Sequence, residues 1–538
     1  MKDKRIIYIA ICATVVVLGG ALRALFAYNA FYDPEEMFRV RETHADVFSD
    51  FITESISERT PFLDGFLFRS LFQLNDSEIF VRLCSASLGV FYVALLCALS
   101  SRMLGNRRQG IFVATLAAFS PLFVFYSGIV RYHNFHAIFT LMSVYFFWLI
   151  MQGRANYRHA AAYGLTTALA MMSHYYTIYL ILSQAVVFLL HKLRDANAWK
   201  NIAVAATTFA VSFSPFTRVF LLQIKRADVA ALDPSTMIAD LFSRKIFDFF
   251  DVIFHIMLGE HYLIHSRLPI DRILLFLTFI ILLFCLISFV VHTLKSRGTG
   301  NAAFPALIFF IAFFLAFATS EATGGMPASA KYLMPFAFLF YMVLAWTWDF
   351  NGGGVRVALA SSIIAVLALA QINLYLSFTE KPTVKTVADH ICDDIAKGGA
   401  VLFSAEAIGI PGFGKIDYSH EMALEYFAEY APCAANVALV DDGRFPGRTR
   451  LRPGKLNVVK LISPGDTESI EALLEEHGRL WLFYFNLGRE PHEHLKREIL
   501  PTEAYRTLAK LAPPAESVIF KVSPRRDYFK GGAFLFLK

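Results

Sequence analysis

The feature that most constrains this chain is a series of long apolar runs, each about the length that carries a helix across a bilayer. They read as Ile6 to Ala27, Glu78 to Ser101, Gly110 to Gly128, Phe135 to Met151, His159 to Met172, Tyr175 to Leu190 and Ile202 to Leu222. After a polar stretch come Ile270 to Val291, Ala303 to Thr319, Tyr332 to Trp348 and Val355 to Ser377. Lipid cannot satisfy backbone hydrogen bonds, and a spanning helix satisfies its own, so this pattern predicts a polytopic α-helical membrane protein of about eleven crossings. Composition agrees: 56% of the 538 residues are hydrophobic and 17% charged, an apolar excess beyond what a soluble core needs.

From about Thr379 the pattern becomes that of a soluble domain. Val384 to Ala396 and Thr467 to Glu476 have helical periodicity, and Ala400 to Ser404, Leu480 to Phe485 and Ala533 to Leu537 read as strands. The expected organisation is therefore a membrane domain over residues 1–378, with an outer loop at 28–77, and a C-terminal α/β domain over 379–538. The first apolar run is too long for a cleaved leader and lacks a small-residue cleavage site, so it reads as a retained helix.

The basic residues sit in the short loops. Arg102, Arg107, Arg108, Arg154, Arg158, Lys192, Arg194, Lys200, Lys295 and Arg297 all fall on the N-terminal side, which the positive-inside rule makes cytoplasmic. The formal net charge of +6 is thus a topology signal and implies no nucleic-acid partner. An odd number of crossings then puts the C-terminal domain outside the cytoplasm. The outer face would hold Asp33, Glu35 and Glu36, the connection from Arg131 to His136, the His174 turn and the Lys331 turn.

Cys12, Cys84, Cys97 and Cys285 lie in apolar runs, where a small buried thiol is ordinary. Cys392 and Cys433 lie in the outer domain, where a disulfide is chemically allowed. No CxxC or similar metal spacing occurs.

Asp33, Glu35 and Glu36, in FYDPEEMFRVRE, stand where the first helix leaves the membrane. A carboxylate beside apolar walls can act as a general base, whereas a solvated loop ending the helix needs no chemistry. Arg131 opens the next run with Tyr132, His133 and His136. Its guanidinium can hold a phosphate bidentately or anchor at the headgroups. His174, Tyr175 and Tyr176 in MMSHYYT interrupt an apolar stretch, either to hydrogen-bond a sugar or phosphate or as an interfacial aromatic belt. Lys331 and Tyr332 follow a glycine turn in GGMPASAKY, and an ammonium at a helix start suits an anion. His261 and His265 share a helical spacing near His255 and Glu260, but they lack a third ligand at fixed spacing and form no predicted metal site.

Taken in series, ERTPFLDGFLFRSLFQLNDSEIFVRLCSASLGVFYVALLCALSSRMLG, SPLFVFYSGIVRYHNF, MMSHYYTIYLILSQ and AKYLMPFAFLF resemble the membrane glycosyltransferases of the GT-C superfamily. The branch most similar is the bacterial one that resembles protein O-mannosyltransferases and lipid A aminoarabinose transferases. The resemblance covers about residues 5 to 380 and is densest from Glu58 to Leu190. It implies an inverting transfer of a sugar from a polyprenyl-phosphate donor to an acceptor hydroxyl on a lipid, glycan or protein, at the outer face of the cytoplasmic membrane.

The family's acceptor-activating carboxylate falls on Asp33, Glu35 or Glu36, and Pro34 leaves the choice among them open. The family's donor-binding residues fall on Arg131, His174, Tyr175, Lys331 and Tyr332. Family members differ in using a divalent metal, and a phosphate that leaves already charged does not require one. Two departures stand out: the family's His-Pro-Pro reads Arg59, Thr60, Pro61, and its late arginine is Lys331. The oligosaccharyltransferase signature WWDxG does not occur. Two other classes fit a polytopic chain with an outer domain. A lipid or sugar transporter or flippase calls for mid-membrane charges and paired halves, and a non-catalytic assembly protein would tolerate loss of the acidic loop.

Overall fold

A computed structural model describes residues 2–29, 61–75, 77–226, 253–258, 303–320, 330–350, 353–379, 384–396, 400–404, 435–440, 456–462, 466–487, 514–521 and 529–537. It also describes 36, 43, 48, 51–52, 277–281, 283, 409–410, 414–415 and 508–509. His261, His265, Glu260 and Cys433 lie outside the described residues. The chain divides into two compact units, Met1–Ala30 with Asp46–Leu376, and Phe31–Ala45 with Ser377–Lys538.

The first unit is helical. Helix α1 is Lys2–Asn29, α2 Phe62–Leu74, α3 Glu78–Leu104, α4 Arg107–Phe119, α5 Pro121–Ser127, α6 His133–Met151, α7 Tyr157–Ser173, α8 Thr177–Lys192, α9 Ala196–Phe213 and α10 Thr217–Arg226. Later come α11 Ala303–Ser320, the short α12 Ala330–Leu333, α13 Ala337–Phe350 and α14 Gly353–Thr379. Among the described residues four helical stretches are long and apolar enough to cross a membrane: Ile6–Asn29, Glu78–Leu104, His133–Met151 and Ala196–Gln223.

The turns explain where the helices stop. Gly105 closes α3 in the left-handed conformation at φ 70°, and Asn106 caps α4 by accepting from the Arg108 amide. Asn156 and His159 form a capping box at the start of α7, and Asp195 accepts from Asn197 and Ala198 at the start of α9. Helix α1 packs on α3 and α4 through Val15, Val93, Cys97, Ala114 and Ala118. Helices α7 and α9 approach so closely at Gly164 that a Cβ there would lie 2.2 Å from the Ala205 carbonyl oxygen, the small-residue crossing that membrane helices favour.

One expected span is not a single helix. Gly110 to Gly128 breaks at Ser120, and α4 and α5 meet at 62°. Proline 121 has no N–H to offer the Ala117 carbonyl, so α4 cannot continue through it. A buried guanidinium from α1 takes over: Arg23 donates to the carbonyls of Ala117 and Ala118, each at 2.9 Å, to Gly19 O at 2.9 Å and to Ser127 Oγ at 3.0 Å. Gln371 Nε2 donates to the next carbonyl, Phe119 O, at 3.1 Å. The carbonyls at the end of α4 are thereby capped inside the bundle.

In the second unit, helices α15 (Val384–Ile395) and α16 (Thr467–His477) accompany a six-stranded sheet of order β5-β4-β1-β6-β8-β7. The strands are β1 Ala400–Ser404, β4 Ala435–Val440, β5 Leu456–Ile462, β6 Arg479–Leu487, β7 Glu516–Lys521 and β8 Phe529–Leu537; β2 Gly409–Ile410 and β3 Gly414–Lys415 form a separate ribbon. Strands β5, β4, β1 and β6 run parallel, and β8 is antiparallel to both β6 and β7. Asp394 at the end of α15 receives Arg479 Nη2 at 2.6 Å and the indole N–H of the fully buried Trp481 at 2.9 Å. Cys392, two residues earlier on α15, is buried and disulfide-bonded.

Candidate functional site

Within the first unit, the connection from Gly128 to Tyr132 leads from the broken span into α6, and it is held on every side by polar groups. Arg82 of α3 donates to Gly128 O at 2.6 Å and is ion-paired with Glu78 at 2.9 Å. Ser85 Oγ donates to Ile129 O at 2.9 Å, and Asn134 Nδ2 donates to Ser85 O at 2.8 Å and Ser127 O at 3.2 Å. At Gly128 a Cβ would lie 2.5 Å from the Phe26 ring, so only glycine lets α1 pass here. A connection fixed this way holds the residues after it, Arg131 and Tyr132, in one place.

Those residues enter a cluster of rings. The Arg131 guanidinium carbon is 5.7 Å from the Tyr132 ring centre. The Tyr132 ring is 4.3 Å from His174, and His174 is 5.5 Å from His136 and 5.3 Å from Tyr332. Tyr176 closes the group, 4.9 Å from His174 and 4.8 Å from Tyr332. Three separate stretches of sequence therefore meet: the start of α6, the turn from α7 into α8, and α12.

The hydrogen bonds assign the histidine protons. His174 Nδ1 accepts from the Tyr176 amide at 3.2 Å, which puts the proton of the neutral ring on Nε2 and makes that nitrogen a donor. Thr177 gives its hydroxyl hydrogen to His174 O at 2.9 Å, so at 3.0 Å His136 Nε2 must be the donor to Thr177 Oγ1. A guanidinium, an imidazole N–H and phenol hydroxyls gathered at helix termini suit an anion or a sugar.

The other residues singled out from the sequence are placed as follows. Tyr175 turns away from the His174 cluster: its hydroxyl donates to Gln223 Oε1, and its ring lies tilted, 5.1 Å from Phe220. The charge of the fully buried Asp64 acts on its phenol. Lys331 is in α12, directly before Tyr332, with its side chain outside the described residues. Asp33 and Glu35 lie outside the described residues. Glu36 is helical and 1% exposed, in the second unit.

Three polar groups of this region went unremarked in the sequence. Asp64 is fully buried in α2, Arg23 in α1 and Asn134 in α6. The available signal was a charge inside an apolar run, which in a membrane chain marks function or a satisfied structural partner. Among the described residues no three His, Cys, Asp or Glu side chains come together as a metal-ligand group.

Comparison with known proteins adds a family and a fold. Residues 59–218 match the family of dolichyl-phosphate-mannose-protein mannosyltransferases. Two solved structures of ArnT from Cupriavidus metallidurans are similar over nearly the whole length. The apo state aligns with a TM-score of 0.52 at 12% identity, and the form bound to undecaprenyl phosphate with 0.51 at 11% identity. In both cases 99% of this chain and 98% of the other are covered. No curated protein matches by sequence. The matched family segment contains Asp64, Arg131, His174 and Tyr175 and ends before Lys331 and Tyr332.

Proposed function

We propose that this chain, a membrane protein of the GT-C glycosyltransferase superfamily, moves a sugar from a polyprenyl-phosphate donor to an acceptor hydroxyl at the outer face of a cytoplasmic membrane. The observation that carries this reading is the meeting of Arg131, Tyr132, His174, Tyr176 and Tyr332 at one end of the bundle, within and just beyond the segment that matches the mannosyltransferase family. An ArnT of the same fold holds undecaprenyl phosphate, which makes a lipid-linked phosphate the natural donor class.

In this mechanism the acceptor oxygen attacks the anomeric carbon on the face opposite the phosphate. The new C–O bond forms as the bond to the phosphate oxygen breaks, so configuration inverts. The acceptor proton passes to a carboxylate of the acidic loop, one of Asp33, Glu35 and Glu36, and the electron pair leaves on polyprenyl phosphate. Arg131 binds that phosphate as a fork and Lys331 as a point charge, and the His174 Nε2–H donates to a phosphate or sugar oxygen. Fixed donors in a water-poor site supply on the order of 3 kcal/mol each toward the developing charge. The acceptor is a lipid, a glycan or a protein, and the C-terminal unit serves its recognition.

The test uses membranes carrying the protein and a radiolabelled polyprenyl-phosphate sugar, with a panel of lipid, glycan and peptide acceptors. Label should leave the lipid for one acceptor class, and one of Asp33→Asn, Glu35→Gln and Glu36→Gln should abolish that transfer. Label that stays on the lipid with every acceptor sinks the reading, and full activity in all three variants sinks the base.

A further inference from the structure

At the far end of α7 from the ring cluster, two neighbouring cavities lie among α6, α7, α8 and α9. The first, about 260 Å³, is mixed in character, with Asn156, Asp195, Asn197 and Lys200 beside Ile150 and Ala155 in its lining. Helices α7 and α9 both begin there; the His159 amide is accepted by Asn156 and the Asn197 and Ala198 amides by Asp195, and Lys200 adds an ammonium to the lining. Asp195 is already engaged, accepting from Asn197 and Ala198 and pairing with Lys192 at 3.0 Å. The Ala198 amide first, and then Lys192, lower its pKa, and Lys200 is left as the cavity's cation.

The second cavity, about 400 Å³, is apolar and lies deeper between the same helices, with Phe147, Gly164, Phe188, Trp199 and Phe209 among its walls. That volume is within the range of cavities that take ligands. One polar device sits in its lining. The Tyr163 hydroxyl donates to Gln184 Oε1 at 2.8 Å, which fixes the orientation of the amide. Gln184 is 1% exposed, and its Nε2 has no hydrogen-bond partner. A donor left without an acceptor costs about 1–3 kcal/mol, and a membrane interior has no water to offer. An oxygen on the cavity's occupant would complete it.

We propose that the two cavities are one site for a glycerophospholipid. Its phosphate lies at Lys200 and the starts of α7 and α9, an ester carbonyl of its glycerol accepts from Gln184 Nε2, and an acyl chain fills the apolar cavity. The cavities are adjacent along α9: Lys200 and Asn201 line the first, and Trp199 and Ile202 line the second. A polyprenyl phosphate has no oxygen in its tail and cannot satisfy Gln184, so this site is distinct from the donor site and does not rest on the proposed reaction.

The experiment uses the full chain, purified in detergent and stripped of lipid. It is offered dioleoyl phosphatidylglycerol, the diether analogue that lacks ester carbonyls, or a polyprenyl phosphate, with bound lipid counted by native mass spectrometry. The diester should be retained about fivefold to tenfold better than the diether, the effect of one hydrogen bond. Gln184→Leu should erase that preference. Ala206→Phe, an exposed position on α9 in the cavity lining, should release both phospholipids, and Lys200→Gln should weaken both. Equal retention of diester and diether by the unaltered protein, retention of neither, or displacement of the phospholipid by polyprenyl phosphate would each overturn the proposal.

Discussion

His174 is the residue on which the candidate site turns, because its ring touches Tyr132, His136, Tyr176 and Tyr332 while its Nδ1 is held by a backbone amide. If its Nε2–H serves a charged oxygen, His174→Ala should lower kcat/KM by about 10- to 100-fold, since such bonds are worth roughly 1.5–3 kcal/mol. His174→Gln, which keeps a donor, should recover part of that loss in the transfer assay. At Arg131 the comparison is between charge and fork: Arg131→Lys should lose about tenfold and Arg131→Met considerably more, read as a rise in KM for the donor. Arg131, His174 and Tyr332 stood out in the sequence because polar residues interrupting apolar runs are costly and therefore conspicuous. The outward turn of Tyr175 toward Gln223 was invisible, because adjacent residues in a turn point to different neighbours and nothing local says which. Asp64 was hidden differently: it stood inside the quoted family stretch, but only the fold brings its charge beside the Tyr175 phenol.

At the scale of elements, the broken span between α4 and α5 carries the most information. The Ser120–Pro121 pair was a legible stop signal, an N-cap followed by a proline at the first helical position. What could not be read was how the freed carbonyls are satisfied, since Arg23 and Gln371 lie 94 to 252 residues away along the chain. Arg23→Met should leave the Ala117, Ala118 and Gly19 carbonyls without that donor and destabilise the first unit by about 3 kcal/mol or more. Thermal unfolding in detergent measures this, and Arg23→Lys should restore part of the melting temperature. Gly128 offers a second, cleaner test. Its backbone is in the right-handed helical region, so alanine is refused there only by the Phe26 ring. Gly128→Ala should lower the melting temperature, and adding Phe26→Leu should recover most of the loss. Failure of the double variant to recover would mean the close approach is not what requires glycine.

For the whole molecule, the helical membrane class was legible because long apolar runs admit no other spanning solution for a single chain. The count of crossings was less so: hydropathy reads length and apolarity, and it joins Gly110 to Gly128 although the backbone there bends. The mixed sheet of the second unit was legible only at its central strands β1, β6 and β8. Strands β4, β5 and β7 are placed by pairing, β4 on β1, β5 on β4 and β7 on β8, which no local pattern declares. Orientation is the remaining whole-molecule question, and the alternation of helices reduces it to one binary choice. From α3 to α9 the chain reverses at each turn, so the turns at Gln152 and at Lys192 to Asp195 share one end, and those at Ser77, Arg131 and His174 share the other. The first end carries Arg102, Arg107, Arg154, Arg158, Lys192, Arg194 and Lys200, whereas the second has Arg131 as its main cation in these turns. By the positive-inside rule we propose that the first end faces the cytoplasm. Gln152 and Ser77 are both exposed, which makes them suitable reporters. In intact cells a membrane-impermeant maleimide should label Ser77→Cys and leave Gln152→Cys unlabelled above the parent's background. Permeabilising the membrane should expose Gln152→Cys. The reverse pattern would put the ring cluster on the cytoplasmic side, where a donor delivered at the outer face could not reach it.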